Sequence, residues 1–315
     1  MKNINKVLII CFLLIFLLAC VRHSQIPKNY SLSEQVVEKA VNWLIAHPAT
    51  FKEGGFLEMG EEINLFYILY TRAESEKERE YYRNRIARIV EEVRAKKDFH
   101  IEYDGEITAY LVICRDAEKV GLETDDFHDF IKKEILHNHM TYPPSITYII
   151  LNSALLRDLG YEPRVPLEDS ISRGIVATMT KDPYLVPVGK NYASSIDVTN
   201  FYYDITHEIF ALSVFGDKNP EEMLLPGELE FIREIIREGI ALYLPKGELD
   251  ILCELVICAK IINYTDVPHF QQAMDFIIES QHNDGSFGII SRMKDLGRQN
   301  LKRHGVLVAA WALAS

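Results

Sequence analysis

The sequence predicts an all-α fold, and within that class an α/α toroid of about six inner and six outer helices. Three observations carry the prediction. Stretches with apolar residues at i, i+3 and i+4 alternate with stretches that are apolar on nearly every side, so one kind of helix has a solvated back and the other is buried all round. The buried kind begins near Glu62, Glu106, Ser145, Asp204, Asp250 and Leu301, a recurrence of about 40 to 50 residues broken by one longer interval. Runs that alternate with period two are almost absent. An open superhelix of helical pairs is the alternative, but it needs polar capping repeats, and the last helix is as apolar as any.

The first stretch stands apart from the fold. Lys2 and Lys6 precede an apolar run from Val7 to Leu18, too short for a comfortable membrane span, and the run ends in Leu17-Leu18-Ala19-Cys20. That ending resembles the lipobox of a bacterial lipoprotein signal. The resemblance implies a signal peptide over 1–19, lipidation of Cys20, a flexible tether over 20–30 and a toroid domain over 31–315. It places the chain in a bacterial cell envelope, on the outer membrane if the cell is Gram-negative, because position 21 is Val21 and not aspartate. A short transmembrane anchor is the competing reading.

Composition narrows the partners. A hydrophobic share of 48% is ample for a core, and a net charge of -12 argues against nucleic acid as a partner. The expected ligand is a small molecule, a peptide or a saccharide, with the membrane reached through the lipid anchor. With Cys11 cleaved and Cys20 lipidated, Cys114, Cys253 and Cys258 remain, an odd set that suggests no disulfide framework.

The helices follow in sequence. Ser33 to His47 is amphipathic and is closed by Pro48 and the Gly54-Gly55 pair. An apolar helix runs from Glu62 to about Arg72, and Ser75 to Lys97 is a charged outer helix with Ile86, Ile89, Val90 and Val93 as its stripe. Glu106 to Val120 is apolar, Thr124 to His137 amphipathic, Ser145 to Leu159 apolar and Leu167 to Thr178 amphipathic. The stretch 180–203 has two prolines, a glycine and several tyrosines, and reads as a lid from about Asp182 to Tyr203 or as an ordered strap. Asp204 to Phe215, Leu229 to Leu244, Asp250 to Asn263, Pro268 to Gln281 and Leu301 to Ala314 complete the alternation.

Aligning the starts of the late apolar helices sets Asp204-Ile205-Thr206-His207 beside Asp250-Ile251-Leu252-Cys253 and Leu301-Lys302-Arg303-His304. The fourth position reads His207, Cys253, His304, whereas the earlier units have Leu65, Ala109 and Tyr148 there. Imidazole and thiolate are zinc ligands, and three protein ligands with an open fourth position are the pattern of a catalytic site. With Asp204 and Asp250 as N-caps, Glu208 and Glu254 fall on the same faces as His207 and Cys253. The expectation is therefore zinc on His207, Cys253 and His304, with Glu208 or Glu254 as general base and Asp204 or Asp250 orienting a ligand. The activity that follows is a metal-dependent hydrolase or a thiol-modifying enzyme.

Gln281 to Gly288, QHNDGSFG, resembles the glutamine, aspartate, glycine and aromatic turn signature of terpenoid cyclase and protein prenyltransferase toroids, and KEGGF from Lys52 resembles a degenerate copy. The resemblance implies the toroid fold; no DxDD-type acid motif accompanies it. The late ligands also resemble those of zinc-dependent toroids, the protein prenyltransferases and the lanthionine cyclases, with Cys253 matching the cysteine and His304 the late histidine. His304-Gly305 resembles the end of the cyclases' Cys-His-Gly motif, but Arg303 stands at its cysteine. Two rivals remain on the residues. One is a carbohydrate-acting toroid using rim carboxylates such as Glu62, Glu106, Asp204 and Glu208; the other is a binding or scaffold lipoprotein without catalysis. His137 and His139 are weaker candidates for the same mouth.

Overall fold

A computed structural model describes residues 31–51, 55–96, 100–101, 103–136, 145–181, 195–288 and 299–315. The signal segment with Cys20, His137, His139 and the expected lid over 182–194 lie outside the described residues. The fold is all-α. The described helices are α1 (Leu32–Ala46), α2 (Gly55–Arg72), α3 (Glu76–Arg94), α4 (Asp104–Lys119), α5 (Asp125–Phe130), α6 (Ile146–Asp158), α7 (Leu167–Ile171), α8 (Ile175–Lys181), α9 (Ser195–Leu212), α10 (Pro226–Tyr243), α11 (Leu249–Ile261), α12 (Phe270–Glu279) and α13 (Gln299–Ala314). A π-helical turn, Ile131–Ile135, continues α5. None of the described helices is long and apolar enough to cross a membrane.

Six helices pack in a closed cycle. α2 lies against α4, α4 against α6, α6 against α9, α9 against α11, α11 against α13, and α13 returns to α2. These are the apolar helices of the sequence, and their burial follows from it: on α11 every residue from Leu249 to Ala259 is buried. The amphipathic helices lie outside this cycle, α1 on α13, α3 on α2, α7 on α6 and α10 on α11. This neighbour order is compatible with an α/α toroid.

Local chemistry sets the ends of several elements. Ser31 and Ser75 each cap a helix in a reciprocal box with the glutamate three residues on, and Ser145 accepts the Tyr148 N–H. The Gln281 to Gly288 segment is a turn that ties α12 to α1. Gln281 Nε2 donates to Val36 O at 2.8 Å, Asp284 Oδ1 accepts from Ser286 N and Oγ at 3.0 and 2.7 Å, and Phe287 is buried. Gly285 sits at φ +92°, where a Cβ would come within 2.3 Å of Lys39 O, so no other residue fits without moving α1.

Two expectations about helix starts are corrected. Asp204 is not an N-cap, because α9 begins at Ser195 and places Asp204 well inside the helix. Val198, Phe201, Tyr202 and Ile205 form a helical stripe, and the last three are buried, so residues 195–203 belong to the ring and not to a lid. Asp250 likewise lies in the first turn of α11, after Glu248 as the cap residue. Arg303 ties α13 to α2 and to the end of α1: its buried guanidinium pairs with Glu62, lies 3.3 Å from Glu58 and donates to His47 O.

Candidate metal centre at the ring mouth

Where the six inner helices meet, they enclose a cavity of about 130 Å³. Each helix presents one face to it in steps of three or four residues: Glu61 then Leu65 on α2, Gly105, Thr108 and Val112 on α4, Tyr148 and Leu151 on α6, His207 and Phe210 on α9, and His304, Leu307 and Trp311 on α13. Glu254 is the contribution of α11. The charged residues Glu61 and His304 lie one or two turns before Leu65, Leu307 and Trp311 on their helices.

At the polar end the ligand-capable atoms of Asp250, Glu254 and His304 all lie within 4.8 Å of one another, and they are the only such group among the described residues. Asp250 and Glu254 stand one turn apart on α11, which puts both carboxylates on one face. His304 bridges two acids, with Nδ1 2.9 Å from Glu61 Oε2 and Nε2 3.1 Å from Asp250 Oδ1. The Tyr203 hydroxyl donates to Asp250 Oδ2 at 2.5 Å, and the Thr206 hydroxyl to Glu254 Oε2 at 2.5 Å. His207 Nδ1 donates to Tyr203 O at 2.7 Å and lies 3.7 Å from Glu254 Oε2. That backbone bond puts a proton on Nδ1.

The electrostatics follow from burial and neighbours. Burial pushes the Glu254 carboxyl up to about 7 in spite of the His207 ring and the Thr206 hydroxyl. Asp250 is equally buried, yet the charge and hydrogen bond of His304, with the Tyr203 hydroxyl, hold it below the usual carboxylate range. Burial works against the His304 charge, but Glu61 and Asp250 outweigh it and raise that imidazole well above its ordinary value. The cluster is thus an imidazolium held among carboxylates.

The gathered set differs from the expected one. Cys253 is fully buried in the packing of α11 and is no part of the cluster. Burial, then the charges of Asp250 and Glu254, push its thiol well above 9.0, which disfavours the thiolate a metal needs. Of the expected ligands the structure brings His304 into the cluster, with His207 at its edge, and Asp250, expected to orient a ligand, stands in the cluster itself.

The expected bases separate in the same way. Glu254 faces the cavity, whereas Glu208 is turned away from it. Glu208 Oε2 accepts the Ile175 and Val176 N–H groups at 2.8 and 3.3 Å, so it satisfies the first turn of α8. Gly174 leaves the room: a Cβ there would stand 2.3 Å from Glu208 Oε1. Asp204 accepts from the Thr147 hydroxyl at 3.1 Å, joining α9 to α6. With Glu62 held by Arg303, three of the four acids named for carbohydrate chemistry are committed to helix contacts.

Glu61 is not among the sequence candidates, because a frame begun at Glu62 starts α2 too late; Tyr203, a candidate only as a pocket-lining tyrosine, instead holds Asp250.

A family model described as a domain of unknown function, DUF6895, matches residues 193–303, less than half of the chain. The match takes in α9 to α12 and the start of α13, and with them His207, Asp250 and Glu254. No curated protein and no solved structure matches the chain.

Proposed function

We propose that the ring mouth is a metal-dependent hydrolytic site, with a zinc-type cation held by Asp250, Glu254 and His304 and with His207 at its edge. The observation that carries this reading is the approach of three ligand atoms to within 4.8 Å at the polar end of a cavity. The donors fit the group. Two carboxylates and an imidazole suit zinc and its first-row neighbours, and an imidazole bonded through its other nitrogen to a carboxylate, as His304 is to Glu61, is the usual support of a metal-bound histidine. Bound there, the cation would supply Lewis acidity and lower the pKa of a water molecule.

The residues of the chain do the rest. Glu61 orients His304, the Tyr203 hydroxyl fixes Asp250, and Thr206 fixes Glu254. In the metal-free chain burial holds the Glu254 carboxyl near neutrality, and a cation bound beside it would favour the carboxylate. Oxygen and nitrogen donors favour water activation, so the hydrolase reading gains over thiol modification, which leaned on Cys253.

We place this domain in a bacterial envelope, anchored through lipid at Cys20. The lipobox-like ending of the first segment supports that placement.

The test is zinc content and zinc titration of the full chain. One zinc per chain, lost when Asp250→Asn or His304→Ala is introduced into a folded protein, is the expected result. A folded chain that takes up no zinc, cobalt or manganese would reject the reading.

A further inference from the structure

Below the carboxylates the cavity changes character. One helical turn down it is walled by Leu65, Val112, Phe210, Leu307 and Trp311, a depth of about 10 Å along α13 from His304 to Trp311 at 1.5 Å per residue. Asn64 is the polar exception in the deep wall, and its Oδ1 is already fixed by the Arg115 guanidinium at 3.0 Å. A wall of this kind cannot satisfy the hydroxyls of a sugar ring, each of which would lose its water without a partner. It can take an apolar group, and the 130 Å³ of the whole cavity, polar end included, is the upper limit on its size. A dry aliphatic and aromatic cavity of about 150 Å³ is the size that admits a benzene ring.

We infer that the substrate carries a single ring-sized apolar substituent, aromatic or branched aliphatic, that drops down the ring axis onto Phe210 and Trp311. Its hydrolysable ester or amide group then stays at the level of Asp250, Glu254 and His304. This substrate class rests on the hydrolytic reading of the mouth, but the ring site itself does not need the metal. Water adds across the scissile bond, giving the acid and the alcohol or amine, so no oxidant or other co-reactant is required. The face pattern aligns the two halves: His304 and Trp311 are two turns apart on one face of α13, so a substituent at the indole and a scissile group at the imidazole lie along the same helix face.

The full chain with Trp43→Phe reports on this directly, because Trp43 and Trp311 are the only two tryptophans. Toluene and naphthalene are titrated into the zinc-free chain, with Trp311 emission and ligand-observed NMR as readouts. Toluene should saturate one site, and naphthalene should bind at least ten-fold more weakly. Val112→Phe and Val308→Phe, which fill the cavity, should weaken toluene at least ten-fold and leave zinc uptake unchanged; Asp250→Asn should do the reverse. If neither filled variant folds, the size series on the parent chain decides. Absence of saturable toluene binding, or naphthalene bound as tightly as toluene, overturns the inference. Toluene binding without any zinc uptake supports the ring site and rejects the metal reading alone.

Discussion

Helices α9 and α11 stand side by side in the ring, and each carries a metal-capable residue followed by a glutamate. On α9 the pair is His207-Glu208, and the first residue faces the cavity; on α11 it is Cys253-Glu254, and the second does. One residue is about 100° of helical rotation, so a single step separates a ligand from a packing residue. Burial does not tell the two glutamates apart. Both are buried, and both are pushed up to about 7 by it. Their partners do tell them apart: Glu208 caps α8 through two backbone N–H groups, while Glu254 sits among two imidazoles and an aspartate. A raised carboxyl pKa therefore marks burial first, and function only where the free oxygen opens on a cavity.

The comparison can be broken by substitution, and the largest effect belongs to Glu254. Glu254→Gln should lower zinc affinity by at least about 100-fold with the fold retained, beyond what the loss of an outer hydrogen bond costs; calorimetric titration measures it. Glu208→Gln should leave zinc binding as it is.

The pH dependence sharpens the same contrast. Both carboxyls rise from 4.5 unfolded to about 7 folded, so the folded state binds more protons between those values. Stability of the metal-free chain should be greatest at the acidic end of that window and fall as pH rises through it. Each glutamine variant should remove part of the slope in urea titrations from pH 5 to 8. Zinc should offset the share of Glu254 and not that of Glu208.

Smaller effects separate capping from ligation. Glu208→Ala should cost about 1–2 kcal/mol of stability, the range for a lost helix cap, with unchanged zinc content. His207→Ala should weaken zinc by roughly ten-fold, as a residue at the edge of the cluster. Cys253→Ala should be the mildest, with zinc affinity unaltered and about 1 kcal/mol lost from the smaller buried side chain.

Much of the fold is legible in the sequence, because burial on all sides leaves a compositional trace. The uninterrupted apolarity of Leu249 to Ala259 and the one-sided stripe of Ile86, Ile89, Val90 and Val93 suffice to sort inner helices from outer ones. The Gln281 to Gly288 turn is legible for a different reason: only glycine tolerates the backbone at Gly285.

The site is less legible, because ligand identity depends on helix phase, and phase depends on where a helix begins. Starting α9 at Asp204 concealed Val198, Phe201 and Tyr202 as helical, and with them Tyr203 as a partner of Asp250. Asp250 and Glu254 are four residues apart, which is a one-face signal visible in sequence. Cys253 beside them masks that signal, because thiolate is the stronger zinc donor by type. Contacts between distant helices, such as Glu61 with His304 or Glu208 with α8, leave no local trace at all.

The ligand set is tested most directly by X-ray absorption at the metal edge of the zinc-loaded full chain. The account predicts a first shell of oxygen and nitrogen alone at about 2.0–2.2 Å, unchanged by Cys253→Ala. A sulfur shell at about 2.3 Å that disappears with that substitution would contradict it.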